Sequence, residues 1–551
     1  MKAMRQVRGL AAAAWPKPSA PRTRAVRAAL AVSAMLALVG CAWAPVATAP
    51  ESNTRSPELA ACADWYTALD AQLDQAGVRD GGASRIAGFA HLRMDRFTAS
   101  LRDALTVPAG NDAATDHRAA LLQLLVELDL QARAHEIANL PGRARALLAR
   151  TNGAAAQEGL LQHAQQCARL LLAADLTSPA RLTSLQERLV VPDDYVTGYR
   201  IVGAYGLSRI AFASGIRRFE AQQRAVFASN PAPLAGSTRL RLSVPGRPAA
   251  GAVTAQSLAG MLRPAAGDPL RVPAPTPEQL ELLFAQFAPD FEVDVVSGDD
   301  RPGALVWRAA ALPGAAETLA VDTDTPVVYR HTATTRVGAH NLLQLVYTLW
   351  FPARTANDGR LDLLAGKLDG LVWRVTLAPD GTPLVYDSIH PCGCYHLFFP
   401  TPAAQAKPAP EPDIEWAFSP RTLPSVGLND RLVLHVAAGT HYLQRVSFNS
   451  PGNDQHYTWR DYNGLRSLPV DGQASRSVFG PDGFIAGTDR AEAWLFWPMG
   501  IERAGSMRQW GHHATAFVGR RHFDDADLME KRFAFDPAHF GNPVLPGPAA
   551  P

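Results

Sequence analysis

His390-Pro391-Cys392-Gly393-Cys394-Tyr395-His396 sets four side chains able to bind a metal at alternate positions. In an extended chain alternate residues face the same way. Two thiolates and two imidazoles there would suit a tetrahedral zinc ion or copper. One residue between the cysteines makes a cramped chelate, and Pro391 and Gly393 favour a turn. In an oxidising compartment Cys392 and Cys394 can instead close on each other as a small strained disulfide, structural or redox-active, or remain packed thiols. All three readings stay open at this point.

Other chemistry-bearing residues gather in the same half. Eleven of the fifteen histidines lie beyond residue 330: His331, His340, His390, His396, His435, His441, His456, His512, His513, His522 and His539. They would either converge on a pocket or stand as hydrogen-bonded strand residues. His522 and Asp524 are spaced to share an ion, but Asp524-Asp525 better fits a helix cap before Ala526. Trp307, Tyr347, Trp350, Trp373, Trp416, Trp459, Trp494, Trp497 and Trp510 would line a groove for a glycan or fill a β core. HExxH, GxSxG, SxxK, GxxxxGK[ST] and GxGxxG are all absent from the sequence, so common protease, esterase, transpeptidase and nucleotide chemistries lose their usual support.

Two kinds of element must position these residues. Residues 58–228 read as a helical domain, with leucines recurring from Leu121 to Leu130 on an apolar face and Cys62 and Cys167 each on a helix. That pair is the natural disulfide across the domain, its alternative being two buried free thiols. From 237 to 540 the pattern turns to strands, including RLRLSV, FEVDVVS, PVVYRHTATT, LLQLVYTLWF, GLVWRVTL, AEAWLFW and ATAFVGRR. Ala378-Pro379-Asp380-Gly381 is a tight-turn signal between two of them, and the Pro-rich stretch 400–413 reads as an exposed loop. The expected fold class is α+β: a helical N-terminal domain followed by a β-rich, sandwich- or barrel-like C-terminal domain.

The leader gives the address. Seven basic residues and no acidic one precede Cys41, followed by an apolar run from Ala28 to Val39 that is too short to span a bilayer. This describes a signal peptide over residues 1–40. Leu38-Val39-Gly40-Cys41 resembles the lipobox of bacterial lipoproteins. The resemblance implies cleavage before Cys41 and lipid on its sulfur and new N-terminus. Ala42 after it implies an outer-membrane lipoprotein facing the periplasm or the cell surface. Residues 41–57 then read as a disordered tether. The body resembles uncharacterised bacterial lipoproteins in Tyr386-Asp387-Ser388-Ile389-His390, the HPCGCYH run, LFWPMGI and MRQWGHH, a resemblance that implies no activity.

Composition agrees with a tethered globular body. Without the leader's seven positives, 46 basic residues face 51 acidic ones. No basic run suggests nucleic acid as a partner. The expected partners are the membrane, through the lipid, and a glycan or an envelope protein. The leading functional reading is a non-enzymatic binding or structural module. The alternatives are a metal protein or metal-dependent enzyme using His390, Cys392, Cys394 and His396, and thiol exchange through Cys392 and Cys394.

Overall fold

Serine and proline open the first helix: the Ser56 hydroxyl accepts from the Leu59 amide and Pro57 occupies the first turn, while Gly77, at φ 66°, ends it. The structure is a computed structural model that describes residues 56–105, 112–152, 157–229, 236–249, 251–309, 317–355, 362–449, 455–470 and 474–541. The leader, Cys41 and the tether expected up to residue 55 lie outside the described residues.

The helices are α1 (Pro57–Ala76), α2 (Arg96–Ser100), α3 (Asp112–Asn139), α4 (Gly142–Asn152), α5 (Gln157–Leu176), α6 (Pro179–Arg188), α7 (Thr197–Val202), α8 (Tyr205–Ala228), α9 (Ala255–Met261), α10 (Pro277–Phe287), α11 (Ala493–Phe496) and α12 (Leu528–Arg532). The strands run β1 (Ser84–Ile86), β2 (Phe89–Met94), β3 (Thr238–Ser243), β4 (Asp290–Val295), β5 (Ala304–Arg308), β6 (Thr318–Asp322), β7 (Val327–Val337), β8 (His340–Arg354), β9 (Gly366–Leu377), β10 (Pro383–Ile389), β11 (Leu397–Pro400), β12 (Ala404–Ala406), β13 (Leu432–Val436), β14 (Leu443–Phe448), β15 (Gln455–His456) and β16 (Thr458–Asp461). The fold is α+β, helical first and strand-rich after.

A disulfide joins Cys62 on α1 to Cys167 on α5 across 105 residues of chain. It sits among Trp65, Leu69, Leu160 and Ala164 in an apolar cluster. Cross-linking a loop of this size contributes about 2–5 kcal/mol. The helical segment also holds a hairpin that its leucine periodicity did not announce, β1–β2, which α3 and α5 cover.

The strand-rich part is built on two sheets. Six strands run in the order β11-β10-β9-β8-β7-β16, antiparallel except for β16, which pairs parallel to β7. Five run in the order β14-β13-β4-β3-β15. Leu345, Tyr347, Trp373 and Val375 from the first sheet share one apolar core with Phe291, Val293, Leu434 and Val436 from the second. Leu258 of α9 and Leu283 of α10 close that core. Val346, Val372 and Ile389, from β8, β9 and β10 of the six-stranded sheet, pack instead with Phe523. Trp350 and Trp373 are fully buried, so these two rings fill core rather than line a groove. All described residues fall in one compact unit.

Two segments read as strands fold otherwise. AEAWLFW forms α11 and the 3-10 turn Trp497–Met499, and ATAFVGRR is irregular apart from one bridge, Ala514 to His522. Helix α12 starts at Leu528 with Asp527 before it and no side-chain cap. Asp524 and Asp525 therefore do not cap it; they face Arg96 and His522 instead.

Candidate functional site

β16 pairs with β7 only from Val327 to Arg330. Among the described residues no strand continues along that edge, and past Arg330 the chain faces a cleft of about 660 Å³. The floor is His331, Thr332, Ala333 and Thr334 of β7 with Gln344 of β8. Leu128 and Gln131 of α3, Asp95, Arg96 and Phe97 around the start of α2, and Leu280, Glu281 and Phe284 of α10 also line it. The far side comes from Trp459, Tyr462 and Arg466 with Gln509 and Trp510. The cleft thus lies where the helical segment meets the first sheet.

His331 sits between two rings. Tyr462 lies against it at 4.6 Å and 36°, and Trp510 meets it edge-on at 4.6 Å and 75°. Neither imidazole nitrogen has a hydrogen-bond partner among the described residues. Burial, with the Arg374 guanidinium nearby, pushes its pKa down to about 3, so the ring is neutral at physiological pH and offers one donor and one acceptor. Beside it Arg330 lies over Trp459 and Phe284, 4.7 and 4.9 Å from their centroids, and pairs with Glu281. Arg330 Nη1 and Gln509 Oε1 are likewise buried without a partner. Leaving such groups unpaired costs about 1–3 kcal/mol each. Four arginines (Arg96, Arg330, Arg460, Arg466) and four carboxylates (Asp95, Glu281, Asp461, Asp524) line the cleft, a balanced set.

A buried ionic cluster holds the far wall. Asp80 receives two bonds from Arg466, Nε at 3.0 Å and Nη2 at 2.7 Å, and a third from Gln509 Nε2 at 3.0 Å. Its own amide donates to Glu136, which also accepts from Arg93 at 2.7 Å and Arg133 at 3.1 Å. Asp129 completes the set through Arg93 and Arg133. None of these partners is adjacent in sequence to Asp80, so no local motif marked them.

The His/Cys segment makes a different construction from the one its alternate spacing suggested. Pro391 to Gly393 turn, with the His390 amide donating to the Cys394 carbonyl at 3.0 Å and Tyr395 at φ 60°. The extended geometry that would align the four ligands is therefore absent. His390 Nδ1 meets Asp369 at 3.0 Å, while His396 Nε2 meets Asp387 at 2.9 Å and its other nitrogen lies 3.3 Å from Thr515. The two imidazoles serve different carboxylates, so the structure does not bring His390, Cys392, Cys394 and His396 together on one point. Among the described residues no group of three or more His, Cys, Asp or Glu is arranged to hold an ion. Cys392 and Cys394 are buried free thiols rather than a disulfide; the bond from Cys394 lowers the Cys392 pKa, and the same bond with burial raises that of Cys394.

Behind this turn Asp369 accepts from both His390 and His441, each at 3.0 Å, and Arg490 lies 3.8 Å away. Burial opposes its ionisation, but the two imidazoles hold its carboxyl well below the usual range. Asp387 bridges Arg374, its direct neighbour across β9–β10, and His396. A third cluster joins His512 and His522 to Asp194. Burial disfavours a charge on His522, but bonds to Asp193 and Asp525 raise its pKa to about 9. Most of the later histidines are thus fixed by carboxylates in separate places, and of the eleven only His331 lines the cleft.

No protein-family model, curated protein or solved structure matches this chain.

Proposed function

We propose that this protein is a lipid-anchored binding module of the cell envelope that holds a polyhydroxylated ligand, of saccharide type, in the cleft above β7. The observation that carries the reading is the set of buried, unpartnered polar atoms on His331, Arg330 and Gln509, set among Trp459, Tyr462 and Trp510. Flat rings stack on the apolar faces of sugars, and hydroxyl groups both donate and accept, as this mixed lining requires. The balanced charge favours a neutral ligand over an anion or a cation. Among the described residues the cleft lining combines aromatic rings with neutral and charged hydrogen-bonding groups, which supports a binding role. Attachment at Cys41 rests on the lipobox resemblance.

Calorimetric titration of the protein with chitotetraose, cellotetraose and maltotetraose tests the cleft. At least one should bind, and Trp510→Ala or His331→Ala should weaken it about tenfold or more, or roughly 1.4 kcal/mol. Absence of binding by all three, or binding indifferent to both substitutions, removes the saccharide reading. The anchor is tested separately: Cys41→Ser should abolish incorporation of labelled palmitate in cells. Unchanged labelling would refute lipidation at this cysteine.

A further inference from the structure

Helices α7 and α8 form the second surface on which the molecule departs from an ordinary soluble exterior. Ten large apolar residues are exposed among the described ones, and seven fall in two short segments: Tyr199, Ile201, Val202, Leu207 and Ile210, then Trp494 and Leu495. The last six are 53–86% exposed. The two segments are neighbours in space. The Tyr199 and Trp497 rings are 6.2 Å apart and those of Phe212 and Phe496 5.5 Å apart. Gly203 lies so close to the turn after α11 that a Cβ there would sit 2.6 Å from Pro498. Arg200 Nε donates to the Met499 carbonyl at 2.8 Å, and Ala213, Met499 and Val518 form a buried cluster beneath. The patch is therefore backed by core and displayed on fixed elements.

Contiguous exposed apolar surface of this kind marks an interaction site. Its chemistry is aliphatic tips with one protruding indole, the composition that enters the interfacial layer of a bilayer. Residues 197–228 carry five arginines and one acid, Glu220. Arg209 and Arg217 meet Glu411 and Asp413, and Arg224 meets Glu220, which leaves the exposed Arg218 to face anionic headgroups. Pro57 of α1 follows Cys41 by 16 residues, a contour of at most ~55 Å. A lipid at Cys41 would thus hold the body within a tether's length of the membrane surface.

We infer that Ile201, Val202, Leu207, Ile210, Trp494 and Leu495 form a membrane-docking face that inserts into the interfacial layer of an anionic bilayer. The tether argument rests on the proposed lipid anchor, whereas the face itself would bind without it. Insertion of such a surface reaches about 5–10 Å into the headgroup region. Lipid at Cys41 would then restrain the chain end while the face fixes how the body stands on the membrane.

The test uses the chain from Arg55 onward, whose described residues make one compact unit and which lacks Cys41. It should co-sediment with vesicles of phosphatidylethanolamine and phosphatidylglycerol, and less with phosphatidylcholine alone. The triple variant Ile201→Ser, Leu207→Ser, Trp494→Ser should lose partitioning by about tenfold or more. Arg218→Glu should weaken binding to the anionic vesicles only. As a measurement that does not depend on the triple variant folding, brominated lipid should quench part of the tryptophan emission of the parent, and Trp494→Phe should lack that part. A parent that stays in the supernatant, or quenching unchanged in Trp494→Phe, overturns the proposal. A concentration-dependent dimer with no vesicle binding also overturns it and assigns the face to a second copy. Because the chain from Arg55 onward has no Cys41, vesicle binding succeeds or fails independently of lipidation there.

Discussion

Asp80→Asn is expected to lower unfolding free energy by about 3–5 kcal/mol at neutral pH, the usual result of removing one partner from a buried ion pair. Asp80 is buried, and its carboxylate takes three hydrogen bonds from Arg466 and Gln509. An amide in its place presents one acceptor and a donor pointed at a guanidinium, leaving the Arg466 charge uncompensated. Arg93, Arg133, Asp129 and Glu136 sit directly behind, so the strain falls on the contact between the helical segment and the cleft wall. The acid limb gives a second check. Burial opposes ionisation of Asp80, but Arg466 overrides it and the folded pKa is lowered. Its contribution is present above the unfolded value near 4 and is lost as pH falls through the folded value. The gap between parent and variant in urea midpoint should therefore narrow in acid. A loss under about 1 kcal/mol at neutral pH would mean that the pair contributes little net stability, and ligand binding in the cleft should then also be unaffected.

Elements whose signals are local were legible from sequence. Ala378-Pro379-Asp380-Gly381 is the turn between β9 and β10, with Gly381 at φ 87° and its amide donating to the Ala378 carbonyl. The Cys62–Cys167 bridge followed from two cysteines on helical patterns. Failures share one physical cause, dependence on distant partners. Phe89–Met94 pairs with Ser84–Ile86, and its buried Arg93 is neutralised by Asp129 and Glu136, 36 and 43 residues away. The aromatic run around Trp494 resembles a strand but turns helical against Pro498, and Trp494 is displayed rather than buried. Spacing alone does not set His331 apart from the other ten histidines beyond residue 330. What separates it from them is that both of its ring nitrogens are buried without a partner, which only the folded structure reveals.

The same dependence makes Asp369 the strongest lever on the His/Cys turn. Asp369→Asn should cost about 3–5 kcal/mol at neutral pH, because His390 and His441 both donate to this carboxylate and His441 also lies 3.4 Å from Asp300. The pH dependence has two arms. Asp369, with its pKa depressed, contributes above the unfolded value near 4 and loses that contribution as pH falls. His441, buried yet raised by Asp300 and Asp369, contributes below the unfolded value near 6.5 and loses it as pH rises through the folded value. The asparagine should flatten both arms in urea melts. It should also release His390, whose backbone closes the turn carrying Cys392 and Cys394. In the parent, a disulfide reagent such as dithionitrobenzoate should reach these thiols only as fast as the protein opens, since both are buried. In Asp369→Asn their reaction should accelerate by more than the change in global stability predicts. Rapid reaction in the parent would contradict the burial of the pair and restore thiol exchange as a working alternative. Slow reaction in both would mean that the turn is held by its own backbone bonds and not by the carboxylate beneath it.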